Sequence, residues 1–227
     1  MTILFSLLCT VMWSQDMIAR ESRLYYGVQV KEGINWLFCQ STSEYYKSIT
    51  GRRYHPYFSA FVDIGTWYRS RDSFSGFTLE VQKSYRGGEI TNNLIEAPAE
   101  VFLDYCGLRA GYTNRTNGEG FMRAGLEVSF LQAATYSDAR LSSPFDITQE
   151  VARRTLGFWF EGGGRIGKHL TMSLFAEWTF MGLSDESEDM LIENFWEIPT
   201  DDHNLTVGIT LGWLFNPVVL SSKRNKK

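Results

Sequence analysis

The run from Asn204 to Phe215, NLTVGITLGWLF, constrains this chain more than any other stretch. Leu205, Val207, Ile209, Leu211, Trp213 and Phe215 alternate with Thr206, Gly208, Thr210 and Gly212. That period of two predicts a β-strand. One face is broad and apolar, while the other carries only glycine and threonine, where a water-facing sheet surface would show lysine and glutamate. Apolar bulk toward lipid and small polar groups toward a narrow interior is the pattern of a transmembrane barrel strand. About ten tilted residues cross a bilayer core, and this run is long enough.

Seven further segments follow the same rule. They run from Leu24 to Phe38, Tyr57 to Arg69, Phe74 to Arg86, Ala99 to Tyr112, Gly120 to Leu131, Arg154 to Ile166 and His169 to Met181. The fourth is the least regular, and a bulge at Gly107 is expected to shift its faces. Eight strands is an even number, as a closed bacterial barrel requires. The connections alternate long and short, as extracellular loops and periplasmic turns do, so both termini are expected on the periplasmic side. Trp36, Phe38, Phe58, Tyr85, Phe130, Trp178 and Phe180 fall near the outer strand ends. Tyr26, Tyr68, Phe77, Tyr112, Trp213 and Phe215 fall near the inner ends, so two aromatic belts are expected. The fold class predicted is all-β, an eight-stranded antiparallel up-and-down transmembrane β-barrel.

Composition does not oppose this reading. Mean hydropathy is −0.21, but barrel strands place half their positions on a polar face, so an unremarkable average is expected. The aromatic content of 15% suits interfacial girdles, and a net charge of −4 points to no nucleic-acid partner. A soluble ligand-binding barrel would reverse the faces, and Lys31 and Lys83 are the only strand lysines. The opening MTILFSLLCTVMWSQD has the apolar length of a signal-peptide core without a basic start, so residues 1–15 read as an export signal or an ordered N-terminal segment. Residues 16–216 then form the barrel, and the basic tail 217–227 is expected to lack order in the periplasm. Cys39 and Cys106 are placed too far apart for a bridge, and two free thiols are expected.

The predicted inward charges are Lys31, Arg69, Arg109, Arg123 and Arg165 against Asp63, Glu80, Asp104, Glu127, Glu161 and Glu177. Nearly balanced signs imply a paired network, since an unpaired buried charge is costly. An eight-stranded barrel has room only for its own side chains, so a pore is not expected. Gly162 to Gly167, GGGRIG, satisfies a phosphate-loop spacing, but the alternating HLTMSLFAEWTF that follows is a strand rather than the helix such a loop needs. His55, His169 and His203 show no metal-ligand spacing, and no cofactor is expected. No nucleophile motif is present, and the chain is not expected to be an enzyme. His55 or His203 near the outer rim keeps open a lipid-modifying barrel. The acidic loop Ser184 to His203 holds Leu191, Phe195 and Trp196, candidates for contact with a partner or a divalent cation. The basic, aromatic first loop suits that acidic loop or anionic lipopolysaccharide.

The order of features resembles the small eight-stranded outer-membrane barrels of the Bacteroidota, including the PorT-like group. The resemblance rests on YYGVQVKEGINWLF, FTLEVQKSYRGG, FLDYCGLRAGY, GFMRAGLEVSF, GFWFEGGGRIGKHLTMSLFAEWTFMGL and NLTVGITLGWLF. Cys106 stands where the family usually has proline, and a basic tail follows the terminal aromatic strand. The resemblance implies a bacterial outer-membrane location, contact with outer-membrane lipid and lipopolysaccharide, and other envelope proteins as partners. For the PorT-like members it implies a link to type IX secretion. The chain itself reads as a closed-lumen component of the cell envelope.

Overall fold

The computed structural model describes residues 20–38, 56–68, 71–90, 99–116, 120–138, 142–149, 153–182 and 203–223. Its strands are β1 Arg20–Phe38, β2 Tyr57–Tyr68, β3 Ser73–Ile90, β4 Ala99–Thr116, β5 Gly120–Asp138, β6 Phe145–Asp146, β7 Arg154–Arg165, β8 Leu170–Gly182, β9 His203–Leu214 and β10 Val218–Lys223. Each strand from β1 to β5 pairs antiparallel with the next, β5 pairs with β7, and β7, β8 and β9 follow in order. The ring closes where Gly27–Phe38 of β1 meets β9. Eight strands therefore make the barrel, with β6 and β10 as additions outside it.

The stagger follows from the pairing. Starting at Leu24 and stepping through Ile64, Phe77, Tyr112, Ala124, Phe160, Ala176 and Val207, the register returns to β1 at Ile34, ten residues above its origin. Ten residues at about 3.3 Å over eight strands about 4.8 Å apart tilt the strands by about 40°. That lies in the range of membrane barrels.

The faces are inverted relative to a water-soluble protein. Phe77 is 70% exposed and Leu174 66%, whereas Lys31, Asp63 and Glu161 are fully buried. Val207, Ile209 and Leu211 of β9 point outward, and Thr206 and Thr210 lie inside. Outward aromatics gather near both ends. Tyr26 stacks on Phe215 at 5.1 Å and His169 on Trp213 at 5.2 Å near the end that holds the termini, and Tyr85 stacks on Phe102 at 5.4 Å toward the other.

Two elements depart from the sequence reading. The tail expected to lack order contains β10, because Arg20–Leu24 of β1 extends below β9 and offers a free edge that Val218–Lys223 fills. The bulge expected at Gly107 lies elsewhere. Asp104 and Tyr105 pair with Ala133 and Leu131, which leaves Gln132 of β5 as the extra residue. Burial consequently switches to Ala134 and Tyr136 beyond it, while the alternation along β4 runs unbroken.

On the side away from the termini β3, β4 and β5 rise beyond their neighbours, with Ile90 paired to Ala99 and Ala99 to Asp138. Leu103, Tyr105, Ala134, Tyr136 and Ile147 are buried there. The Ile147 N–H donates to the Ala134 carbonyl at 2.9 Å, holding the β6 turn against β5. Within that turn the Asp146 carboxylate accepts from the Thr148 N–H at 2.9 Å and from its hydroxyl at 2.6 Å. These bonds favour the ionised form and hold the Asp146 carboxyl below its ordinary value of 3.8. A depressed carboxyl stabilises the turn above the unfolded value, and the benefit is lost as pH falls through the folded one. Protection of the Thr148 amide from exchange, relative to an unfolded chain at the same pH, is therefore expected to hold at neutral pH and to be lost as pH falls below 3.8.

Candidate functional site

The lumen is where the chain concentrates its chemistry. Lys31, Arg86, Arg109, Arg115 and Arg123 are buried together with Asp63, Glu80, Glu127, Glu161 and Glu177. Five cations thus meet five anions. Taking charges out of water in this way is tolerable only when each finds partners. Here a single chain of ion pairs links all ten.

It begins near the end that holds the termini. Arg115 reaches Asp63 at 2.5 Å, and Arg123 reaches the same carboxylate oxygen at 2.9 Å. Arg123 also lies 3.5 Å from Glu161, with its guanidinium 3.7 Å from the centre of the Phe61 ring. Glu161 accepts from Gln29 at 3.1 Å and Ser173 at 2.5 Å, and stands 3.9 Å from Lys31. Lys31 bonds Glu80 at 2.6 Å, and Arg109 lies 3.4 Å from that same Glu80 oxygen. Arg109 grips Glu127 through Nε at 2.9 Å and Nη2 at 2.8 Å, and pairs closely with Glu177. Arg86 pairs with Glu127 from above and lies 5.0 Å from the centre of the Tyr105 ring. Trp159 sits beneath Lys31 and Arg109, at 5.9 and 5.3 Å.

Strand alternation puts these residues on one wall. Lys31 shares the parity of Gln29 on β1, Glu80 that of Gln82 on β3, and Arg123 that of Glu127 on β5, so each of the eight barrel strands except β9 sends charge inward. The column rises through about 25 Å, comparable to the apolar band outside it. Phe175, Tyr57 and Asn35 pack around its upper part, with the Tyr57 hydroxyl donating to Asn35 at 3.1 Å. The arrangement plugs the barrel with fixed, mutually neutralising charge.

Of the residues named from sequence, Lys31, Asp63, Glu80, Arg109, Arg123, Glu127, Glu161 and Glu177 lie in this column. Arg165 is half-buried at the end of β7 nearest the termini, where its Nε has no hydrogen-bond partner among the described residues. Asp104 requires a correction: it faces outward and pairs with Lys83 at 3.0 Å. Its even number on β4 opposes the odd parity of Arg109, and no bulge intervenes to reverse it. Arg69, Leu191, Phe195, Trp196, His55, Cys39 and residues 1–19 lie outside the described residues. Arg86 and Arg115 were missed; continuing the alternation past Ser84 in β3 finds the first, and continuing it past Gly111 through Thr113 in β4 finds the second. Cys106 is a free thiol on the outer face. Gly162 to Gly164 fall inside β7. His169 sits in the β7–β8 turn, with Nδ1 2.9 Å from the Leu214 carbonyl.

A closed ring of eight tilted strands, apolar outside and ion-paired inside, defines an outer-membrane-type β-barrel. No family model matches the chain, and no curated protein does. Among solved structures it is similar to Ail, the attachment invasion locus protein of Yersinia pestis, in complex with the heparin analogue sucrose octasulfate. That match has 12% identity and a TM-score of 0.43, covering 88% of this chain and all of Ail. Neisserial surface protein A is similar at 11% identity and TM-score 0.36, over 84% of this chain and 96% of its own. The outer membrane protease OmpT of Escherichia coli follows at 8% identity and TM-score 0.32, over 87% and 97%. Similarity of this degree carries nothing about activity or partners.

Proposed function

We propose that this protein is a non-catalytic, closed-lumen barrel of the bacterial outer membrane that serves as a rigid binding component of the cell envelope. The continuous ion-pair column carries this reading. It occupies the barrel's interior with charges already neutralised by one another, so the surfaces that remain for contact are the extracellular rim and loops. The raised β3–β5 extension with its buried Tyr105, Tyr136 and Ile147 gives that rim a stiff platform. Lipopolysaccharide and other envelope proteins are the partners proposed. A narrower role as a PorT-like accessory of type IX protein secretion is supported by the strand motifs alone.

Two measurements test this. In planar bilayers the purified protein is expected to give no steady ion conductance, and a stable open channel overturns the closed-lumen reading. Purification from native membranes in mild detergent is expected to recover envelope partners that are lost when residues 184–202 are deleted. Lipid-modifying activity that disappears with His203→Ala would establish an enzyme instead.

A further inference from the structure

Two exposed charges, Glu32 and Lys83, interrupt the outward apolar rows of β1 and β3. Among the described residues of the outer face, Glu32 of β1 is exposed between Val30 and Ile34 and has no ion pair. Lys83 of β3 is exposed beyond Val81, its side chain 51% accessible although it touches Asp104. A charge on the lipid face of a barrel is destabilising in proportion to its depth. Glu32 is therefore a cost that no described residue of the barrel offsets.

Their heights coincide. Val30 pairs with Phe58 and Phe58 with Lys83. Because the register climbs ten residues over eight strands, each step from strand to strand rises by about 1.25 residues. Lys83 thus stands about 2.5 residues above Val30, level with Glu32 to within about 2 Å. The opposite charges flank β2 symmetrically, and Phe58, 53% exposed, projects between them. Below Phe58 the small Ala60 leaves a shallow groove of about 620 Å³ between Val28, Val30 and Val81.

We propose that the β1–β3 face is an interface with a second copy of this chain, related by a two-fold axis along the membrane normal close to Phe58. A rotation about that axis preserves height and exchanges left for right. Glu32 of each protomer then faces Lys83 of its partner, and the two Phe58 rings meet at the centre. Such a patch is self-complementary, as a two-fold contact demands. Lys83 has three donors, so it bonds the incoming carboxylate while keeping Asp104. The pairing gives Glu32 a counter-charge that no described residue of its own protomer supplies. This inference rests on the membrane-spanning reading and adds a partner to it.

The test uses the full chain reconstituted in vesicles of phosphatidylethanolamine and phosphatidylglycerol, with oligomeric state read by single-molecule photobleaching. The wild type is expected to be dimeric. Glu32→Lys and Lys83→Glu are each expected to weaken association about tenfold or more, and the double reversal to restore most of it. In a cysteine-free background, Phe58→Cys is expected to form a disulfide-linked pair on oxidation, and Phe160→Cys on the opposite wall is not. The cross-link needs no charge change, so it stands even where a reversal impairs insertion. A wild type that inserts but stays monomeric overturns the interface, as do single reversals without effect or cross-linking at Phe160 rather than Phe58. A wild type that never enters the vesicles overturns the membrane reading and the interface with it.

Discussion

Replacing Arg109 by leucine is expected to destabilise the folded barrel by about 3–5 kcal/mol, the range for removing one partner from a buried ion pair. Arg109 joins Glu80, Glu127 and Glu177. Without it Glu80 keeps Lys31 and Glu127 keeps Arg86, but Glu177 loses the one ion pair it makes among the described residues. Removing that carboxylate's charge as well, in Arg109→Leu combined with Glu177→Gln, is expected to recover part of the loss. The shortfall from additivity measures how strongly the two residues act as a unit. Urea titration of the protein folded in lipid vesicles reads all three variants. Equal stability of Arg109→Leu and wild type would show that the column contributes nothing to holding the barrel.

Gly208→Val is expected to prevent the ring from closing. Gly208 pairs with Gly33 across the β1–β9 junction, and the Phe175 ring packs over both. A Cβ at Gly208 would stand 2.7 Å from Phe175 Cε1 and 2.5 Å from the Gly33 Cα. Backbone cannot yield there without parting the strands that close the barrel. Phe175 is 2% exposed and lies 5.7 Å from the Lys31 ammonium, so it has no empty space to enter. Overpacking usually costs about 1–3 kcal/mol, and a blocked closure exceeds that. Loss of heat-modifiable electrophoretic mobility and of protease resistance checks this. Gly162→Ala serves as the control, since the nearest atoms there are 3.6 Å away and ordinary contact suffices.

The barrel is legible in the sequence because strand alternation is a local property. NLTVGITLGWLF shows on its own which face meets lipid, and its outward valine, isoleucine and leucine are where the period of two places them. Asp104 shows where that reading fails. The irregularity near Gly107 invites a bulge, but a bulge is a two-strand event, and its extra residue, Gln132, belongs to the partner strand. One strand alone does not reveal which side carries the insertion. The tail from Val218 reads as disordered because it is basic and follows a proline. It forms a strand because β1 outlasts β9, a length mismatch between elements at opposite ends of the chain. The column itself is legible residue by residue but not pair by pair. That Arg123 serves both Asp63 and Glu161 depends on the stagger, which only the closed register supplies.

The last spanning strand, β9, contributes Asn204, Thr206 and Thr210 to the interior, with glycines between, and, among its described side chains, not one ionisable group. Every cation and anion of the column belongs to strands synthesised before it. Neutralisation within the lumen is thus a matter for the first seven spans, and the eighth arrives with no electrostatic debt of its own. Sealing the cylinder asks of its final segment only backbone hydrogen bonds, a smooth inner surface, and lipid on the other side.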